Sequence, residues 1–116
     1  MITIELQDDV IEVGKQLSGK FSWAGNITPH EINLKVGWRT EGRGNVDTKT
    51  VYSNSFVGTT HSTFSCKIPA LGPVSYDGEI IRVIWEVIIA TKFSRKLNSK
   101  EKGKKVKLFR VIPRGA

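Results

Sequence analysis

The fold is decided by residues 31–39, which read Glu31-Ile32-Asn33-Leu34-Lys35-Val36-Gly37-Trp38-Arg39. Apolar and polar residues alternate there with a period of two, which is the pattern of a β-strand with one buried and one solvated face. The same alternation recurs along the chain, and no window of a dozen residues has the apolar spacing of a capped amphipathic helix. The sequence therefore predicts an all-β protein.

Six further segments show this alternation, and turns rich in Gly, Pro, Asn or Asp separate them. The predicted strands cover residues 2–6, 14–23, 31–40, 46–57, 62–68, 79–93 and 104–112. Inward side chains of the second and fifth strands complete a core for two sheets packed face to face, and these are Leu17, Phe21, Trp23, Phe64, Cys66 and Ile68. We expect a seven-stranded immunoglobulin-like β-sandwich that fills residues 1–116 as a single domain.

The net charge of +7 on these 116 residues is concentrated in one segment. Residues 92–110 hold nine basic side chains and one acid, Glu101, so the rest of the chain has a net charge of −1. A basic hairpin loop is expected at about 94–105. Its candidate anion-binding residues, for membrane phospholipid or nucleic acid, are Lys96, Lys100, Lys102, Lys104, Lys105 and Lys107. The favoured alternative is that these lysines solvate the loop and protect a strand edge from pairing with another chain.

The predicted strand at 79–93 is apolar on both faces. One face is predicted to enter the core, and it consists of Ile81, Val83, Trp85, Val87 and Ile89. The opposite face carries Ile80, Ile84 and Ile88, and isoleucines exposed on a sandwich commonly mark a partner surface. We expect this face to bind a protein partner or a second copy of the chain. The alternatives are a loop that covers it and a bulge that reverses the alternation.

The remaining chemistry-bearing residues do not predict a reaction. Cys66 alternates with buried apolar positions and is expected to be an inert thiol, and one cysteine cannot form an internal disulfide. His30 and His61 are expected at the surface without a role, and Asp8-Asp9 reads as a solvated turn. We therefore expect no catalytic residues, no metal, no cofactor and no small-molecule substrate.

Two motifs connect the chain to a known family. The first is Val13-Gly14-Lys15-Gln16-Leu17-Ser18-Gly19-Lys20-Phe21. The second runs through Phe64-Ser65-Cys66-Lys67-Ile68-Pro69, then Gly72-Pro73-Val74-Ser75-Tyr76-Asp77-Gly78, then Ile81-Arg82-Val83-Ile84-Trp85-Glu86-Val87. Together they resemble the arrestin-like pattern, over about residues 2–112. The chain departs from it at Val13, where the family usually has proline, and at Lys15, where it often has glutamate.

The resemblance implies an arrestin-like sandwich without catalysis that binds proteins through strand edges, sheet faces and loops. Arrestins carry two such sandwiches, whereas this chain has one, and no pair matches their buried ionic core. The expected function is a non-enzymatic adaptor or scaffold, with an anionic-surface binder as the alternative. The chain shows no signal peptide and no run of 18 apolar residues, so we expect it to be cytoplasmic.

Overall fold

The computed structural model describes residues 2–25, 28–42, 47–78, 81–92 and 103–115. These residues form nine β-strands and no helix, so the prediction of an all-β protein is confirmed. The strands are β1 (Ile2–Leu6), β2 (Val10–Glu12), β3 (Gln16–Trp23), β4 (Glu31–Gly42), β5 (Thr48–Val57), β6 (His61–Lys67), β7 (Tyr76–Asp77), β8 (Ile81–Lys92) and β9 (Lys104–Ile112).

Two sheets pack face to face. The smaller sheet has three antiparallel strands in the order β1-β3-β6. The larger sheet has six strands, in the order β2-β9-β8-β4-β5, with the short β7 paired to one end of β8. β4 and β8 pair along their whole length, from Glu31 opposite Lys92 to Gly42 opposite Ile81. β2 runs parallel to β9, and the other pairs are antiparallel.

β2 and β7 are the strands that the sequence analysis missed, so the expected count of seven is wrong. Between β1 and β2 the chain passes from one sheet to the other. The Gln7 N–H donates to the Ser18 carbonyl at 2.9 Å in the smaller sheet, and the Arg110 N–H donates to the Asp9 carbonyl at 2.8 Å in the larger one. The predicted turn at Asp8-Asp9 is this crossover. Strands of three and two residues are too short for a period of two to be recognised.

Side chains of both sheets form a core around Trp85, which is fully buried. Its indole N–H donates to the Pro73 carbonyl oxygen at 3.0 Å, and its ring centroid lies 5.9 Å from that of Phe109. Other fully buried side chains are Leu17, Ile32, Leu34, Val36, Ile68, Val87, Ile89 and Val111. Burial of each large apolar side chain contributes about 1.5–3 kcal/mol. The core therefore contains most of the alternating residues that the sequence placed inward, together with Ile2, Ile4, Ile11, Phe109 and Val111.

One member of the predicted core is exposed, and Trp23 and Val83 are only partly buried against the core. Ile81 is 46% exposed, although it shares the inward register of Trp85. It is the first residue of β8 and lies opposite Gly42, the last residue of β4. The prediction that Ile81 enters the core is therefore wrong, because alternation gives the direction of a side chain but not where the covering sheet ends.

Gly14 and Gly19, the glycines of the first motif, serve different purposes. Gly14 has a φ of 83°, in the left-handed region that favours glycine, and its N–H donates to the Ile68 carbonyl at 2.9 Å. At Gly19 a Cβ would lie 2.6 Å from the carbonyl oxygen of Glu5 and 2.8 Å from the ring of Phe64. One glycine therefore permits the turn before β3, and the other permits the close approach of β1.

Candidate functional site

Ile84 and Ile88 lie on the outer face of the six-stranded sheet, as the alternation along β8 predicted. The residues on either side of Ile88 are fully buried in the core, so the two isoleucine side chains project to the opposite face. Both are half-buried. Ile80, the third predicted member of this face, lies outside the described residues.

Two exposed apolar side chains of β9 extend this surface. Val106 lies opposite Ile88, and Leu108 lies opposite Glu86, so both share the outer face with their β8 partners. Val106 is 41% exposed and Leu108 is 53% exposed. We define the outer apolar strip as Ile84, Ile88, Val106 and Leu108.

Val106 and Leu108 are functional residues that the sequence analysis did not predict, because the lysines around them dominate the character of residues 104–108. A usable signal was present in the alternation. Phe109 and Val111 are buried, so the even-numbered residues of β9 point away from the core. The strip thus follows from the alternation on two adjacent strands rather than on one.

A chain of ion pairs borders the strip. Arg39 contacts Glu41 at 2.6 Å and Glu86 at 3.2 Å. Arg82 contacts Asp77 at 2.9 Å and, at 3.9 Å, Glu41. These five groups link β4, β8 and β7 across the outer face. Both arginines are therefore engaged by neighbouring carboxylates.

The same contacts stabilise the charged forms. The hydrogen bond from the Arg39 guanidinium lowers the pKa of the Glu41 carboxyl below its usual value. The pKa of Arg39 is raised, chiefly by its hydrogen bond to Glu41 and also by the hydrogen bond and charge of Glu86. Arg39 and Glu41 consequently stay ionised at neutral pH, and their charges are directed at each other.

Three exposed cations beside the strip form no ion pair with any described residue. Lys35 lies opposite Ile88 in the β4–β8 register, and Lys104 and Arg110 follow the alternation of Val106 along β9. All three are exposed. The charge around the strip that is free to meet a partner is therefore positive.

The lysines of the predicted basic loop do not share one face where the structure describes them. Lys104 lies on the outer face, whereas Lys105 and Lys107 alternate with it and lie on the opposite face of β9. All three are exposed. Lys96, Lys100 and Lys102 lie outside the described residues. The described lysines therefore flank a strand on both sides.

A groove of about 380 Å³ opens beside the strip, where β9 separates from β8. Its lining includes Ile84, Leu108 and Arg110. The separation arises because Ser75 replaces β8 as the partner of Val111: the Ser75 N–H donates to the Val111 carbonyl, and the Val111 N–H donates to the Ser75 hydroxyl, both at 2.8 Å. The groove gives the strip one recessed end bordered by a cation.

The outer face of the three-stranded sheet has a different character. Its two depressions, of about 540 and 300 Å³, are lined largely by polar side chains of β1, β3 and β6. Lys20 and Glu5 form an exposed ion pair there at 3.2 Å. This face offers no comparable apolar surface within the described residues, and it provides control positions for experiments.

The other candidate residues are placed as follows. Cys66 is 6% exposed, and burial raises the pKa of its thiol to about 11, so it is protonated and unreactive at neutral pH. His30 and His61 are exposed.

In the part of the chain that the structure describes, no three His, Cys, Asp or Glu side chains converge as a metal site. No helix in that part has the length and hydropathy needed to cross a bilayer, and the cytoplasmic location stays a prediction.

Comparison with known proteins supports the fold. No protein-family model matches the sequence, and no curated protein matches it. The crystal structure of Spo0M, a sporulation control protein from Bacillus subtilis, is similar, with a TM-score of 0.64 and 14% identity, over 95% of this chain and 48% of that chain. This chain thus spans about half the length of Spo0M. The expected all-β, arrestin-like β-sandwich is confirmed at the level of fold.

Proposed function

We propose that this protein is a non-enzymatic adaptor module that binds a partner protein through the outer apolar strip. The observation that carries the proposal is the strip itself, four neighbouring apolar side chains on the sheet face away from the core. Val106 and Leu108 are 41% and 53% exposed. Contiguous apolar surface bordered by polar residues is typical of interaction sites.

The charges around the strip select the kind of partner. Lys35, Lys104 and Arg110 are exposed and have no acid partner among the described residues, whereas the arginines of the ion-pair chain are engaged. Electrostatic complementarity favours a partner of opposite charge and disfavours like charge. The partner therefore presents apolar side chains accompanied by Asp or Glu.

A second copy of the chain is a less favourable occupant of the same surface. The chain carries a net charge of +7, and the free charges beside the strip are cations, so two copies meeting through this face would bring like charges together. An acidic partner protein meets no such repulsion.

An anionic membrane is also less favourable. Lys105 and Lys107 lie on the other face of β9 and cannot meet the same planar surface as Lys104. The distribution of charge thus fits a shaped protein partner better than a bilayer.

The test is selection of a random peptide display library on the immobilised protein. We expect enrichment of sequences that combine apolar residues with Asp or Glu, and we expect that Leu108→Asp used as bait abolishes it. Thr63→Asp is the matched control, because Thr63 is an exposed strand residue on the outer face of the other sheet.

Two results would contradict the proposal. Enrichment that is equal with Leu108→Asp and wild type places binding elsewhere. Selected sequences without acidic residues contradict the stated partner chemistry. Binding of anionic vesicles by wild type, lost on replacing Lys104, Lys105 and Lys107 by Glu, would establish the alternative function instead.

A further inference from the structure

We infer that the open edge of β9 binds an extended acidic segment of the partner by strand addition, an inference that rests on the proposed binding of an acidic partner. In this mode the segment becomes an additional strand beside β9, and main-chain hydrogen bonds hold it. Four features of the described residues lead to this conclusion.

The first feature is an incomplete set of neighbours along β9. β8 pairs with β9 from Lys104 to Phe109, and β2 pairs with the other edge only from Arg110 to Ile112. Within the described residues no strand is hydrogen-bonded to that second edge over residues 104–109, although β1, which pairs with β3 in the other sheet, passes beside β9. The larger sheet therefore has an edge whose main-chain groups are unpaired over these residues.

The second feature is the direction of the main-chain groups. The Arg110 N–H donates to Asp9, and the Ile112 carbonyl accepts from Val13, so these two residues direct their groups toward the β2 edge. The carbonyl of Gly103 accepts from Thr91 on β8. Successive residues of a strand direct their N–H and C=O groups to alternate edges. The even-numbered residues Lys104, Val106 and Leu108 consequently direct theirs to the open edge.

The third feature is accessibility. Every residue from Lys104 to Leu108 is exposed, the longest such run in β9. No described residue forms a backbone hydrogen bond with the outward N–H and C=O groups of the three even-numbered residues. From Lys104 to Leu108 the strand rises about 13 Å, which accommodates an extended segment of five or six residues.

The fourth feature is the side-chain chemistry on the two faces of this edge. Lys105 and Lys107 lie on one face, and Val106 and Leu108 lie on the other. Side chains directly opposite each other on neighbouring strands interact, and opposite charges stabilise the pair. A segment in which acidic and apolar residues alternate places its acids beside the lysines and its apolar residues beside Val106 and Leu108.

The lysines also explain why the edge does not pair indiscriminately. Charged residues on an edge strand disfavour addition of neutral or basic strands, and the same charges favour an acidic one. Protection of the edge and selection of an acidic partner are therefore two consequences of one set of side chains.

The probe is a seven-residue peptide of alternating Glu and Val, acetylated and amidated, titrated into ¹⁵N-labelled full-length protein at low salt. We expect the amide resonances of Lys104, Val106 and Leu108 to shift more than those of Lys105 and Lys107. A peptide with Lys in place of Glu is expected not to bind. N-methylation of alternate peptide amides is expected to weaken binding.

Val106→Pro is the decisive variant, because its outward N–H takes no part in the pairing with β8. Proline is tolerated where a strand N–H faces the open side of a sheet. We expect affinity to fall about fivefold to tenfold for the loss of one main-chain hydrogen bond. Val106→Thr keeps the N–H while changing the same side chain, so it is the matched reference, and Val106→Pro is expected to bind more weakly than Val106→Thr by that factor.

Strand addition is overturned if Val106→Pro binds like Val106→Thr, or if the Glu/Val peptide does not bind at millimolar concentration. Shifts confined to residues of β8, without the even-numbered amides of β9, also overturn it. These outcomes leave the proposed function standing as long as library peptides still require Leu108. Loss of library enrichment is a separate result that removes the proposed function itself.

Discussion

Replacement of Thr91 by Val is predicted to weaken the loop end of the β8–β9 hairpin. Thr91 is 8% exposed and is the one buried polar residue in the described part of the chain. Its hydroxyl donates to the Gly103 carbonyl at 3.1 Å and accepts from the Gly103 N–H at 2.8 Å. Val has a similar shape and makes neither bond.

The magnitude follows from the groups that lose a partner. The Gly103 carbonyl still accepts from the Thr91 backbone N–H at 2.9 Å, so it stays satisfied. The Gly103 N–H loses its acceptor at a half-buried position. An unsatisfied buried donor costs about 1–3 kcal/mol, so we expect a loss of about 2 kcal/mol in the free energy of unfolding.

The assay combines urea unfolding with hydrogen exchange. With a slope of about 1–3 kcal/mol per molar urea, the midpoint is expected to fall by roughly 1 M. Protection of the Gly103 amide is expected to disappear in Thr91→Val and to persist in Thr91→Ser, which keeps the hydroxyl. An unchanged midpoint, or equal protection of Gly103 in both variants, would refute the reasoning.

Three further outcomes are expected. Gly19→Ala is predicted to lower stability by about 1–3 kcal/mol in chemical unfolding, because its Cβ meets the Glu5 carbonyl and the Phe64 ring; a neutral effect would show that β1 moves freely. The pKa of Cys66 is raised from 9.0 to about 11, so the folded state holds the thiol proton more tightly than the unfolded chain, and stability is expected to fall as pH rises from 9 to 11. Cys66→Ala is expected to remove that part of the fall, and identical pH curves for both proteins would contradict the burial. Leu108→Asp is predicted to lower the unfolding free energy by about 1 kcal/mol, because Leu108 is 53% exposed and the new carboxylate lies opposite Glu86; a loss of several kcal/mol in thermal or urea unfolding would mean that Leu108 supports the fold.

Much of the sandwich could be predicted from residue alternation. A period of two identifies the strands and most of their inward residues. The expected strand ends that fall on described residues agree with the structure to within two residues, and those at residues 46, 79 and 93 lie outside the described residues. β2 and β7 were not predictable in this way, because they are defined by their hydrogen-bonding neighbours. The exposure of Ile81 was likewise not predictable, because it depends on where the covering sheet ends.

The candidate site was predictable in part. The alternation along β8 gives Ile84 and Ile88 their outward direction. The addition of Val106 and Leu108 requires the pairing of β9 with β8, which sets them opposite Ile88 and Glu86. The unpaired edge of β9 could not be predicted from alternation and strand pairing alone. It is recognised only from the hydrogen bonds between β9 and β2, which show which main-chain groups of β9 have no partner.

The positions of the charges also could not be predicted from the sequence alone. A run of nine basic residues reads in the sequence as one basic segment. In the structure Lys104 is separated from Lys105 and Lys107 by the plane of the sheet. Charge composition therefore predicted a solvated basic loop, with an anionic-surface binder as the alternative, and strand geometry shows how the described lysines are distributed around one edge.

The most direct test of the central claim is calorimetric titration of a library-selected peptide into wild type, Leu108→Asp and Thr63→Asp, at low and at physiological salt. If the outer apolar strip is the binding surface, Leu108→Asp weakens binding at least tenfold, because it removes an apolar contact at the centre of the interface. Thr63→Asp is expected to bind within twofold of wild type, because Thr63 lies on the other sheet. Affinity should fall moderately with salt, because only a few cations contribute. Equal affinity for all three proteins would contradict the account.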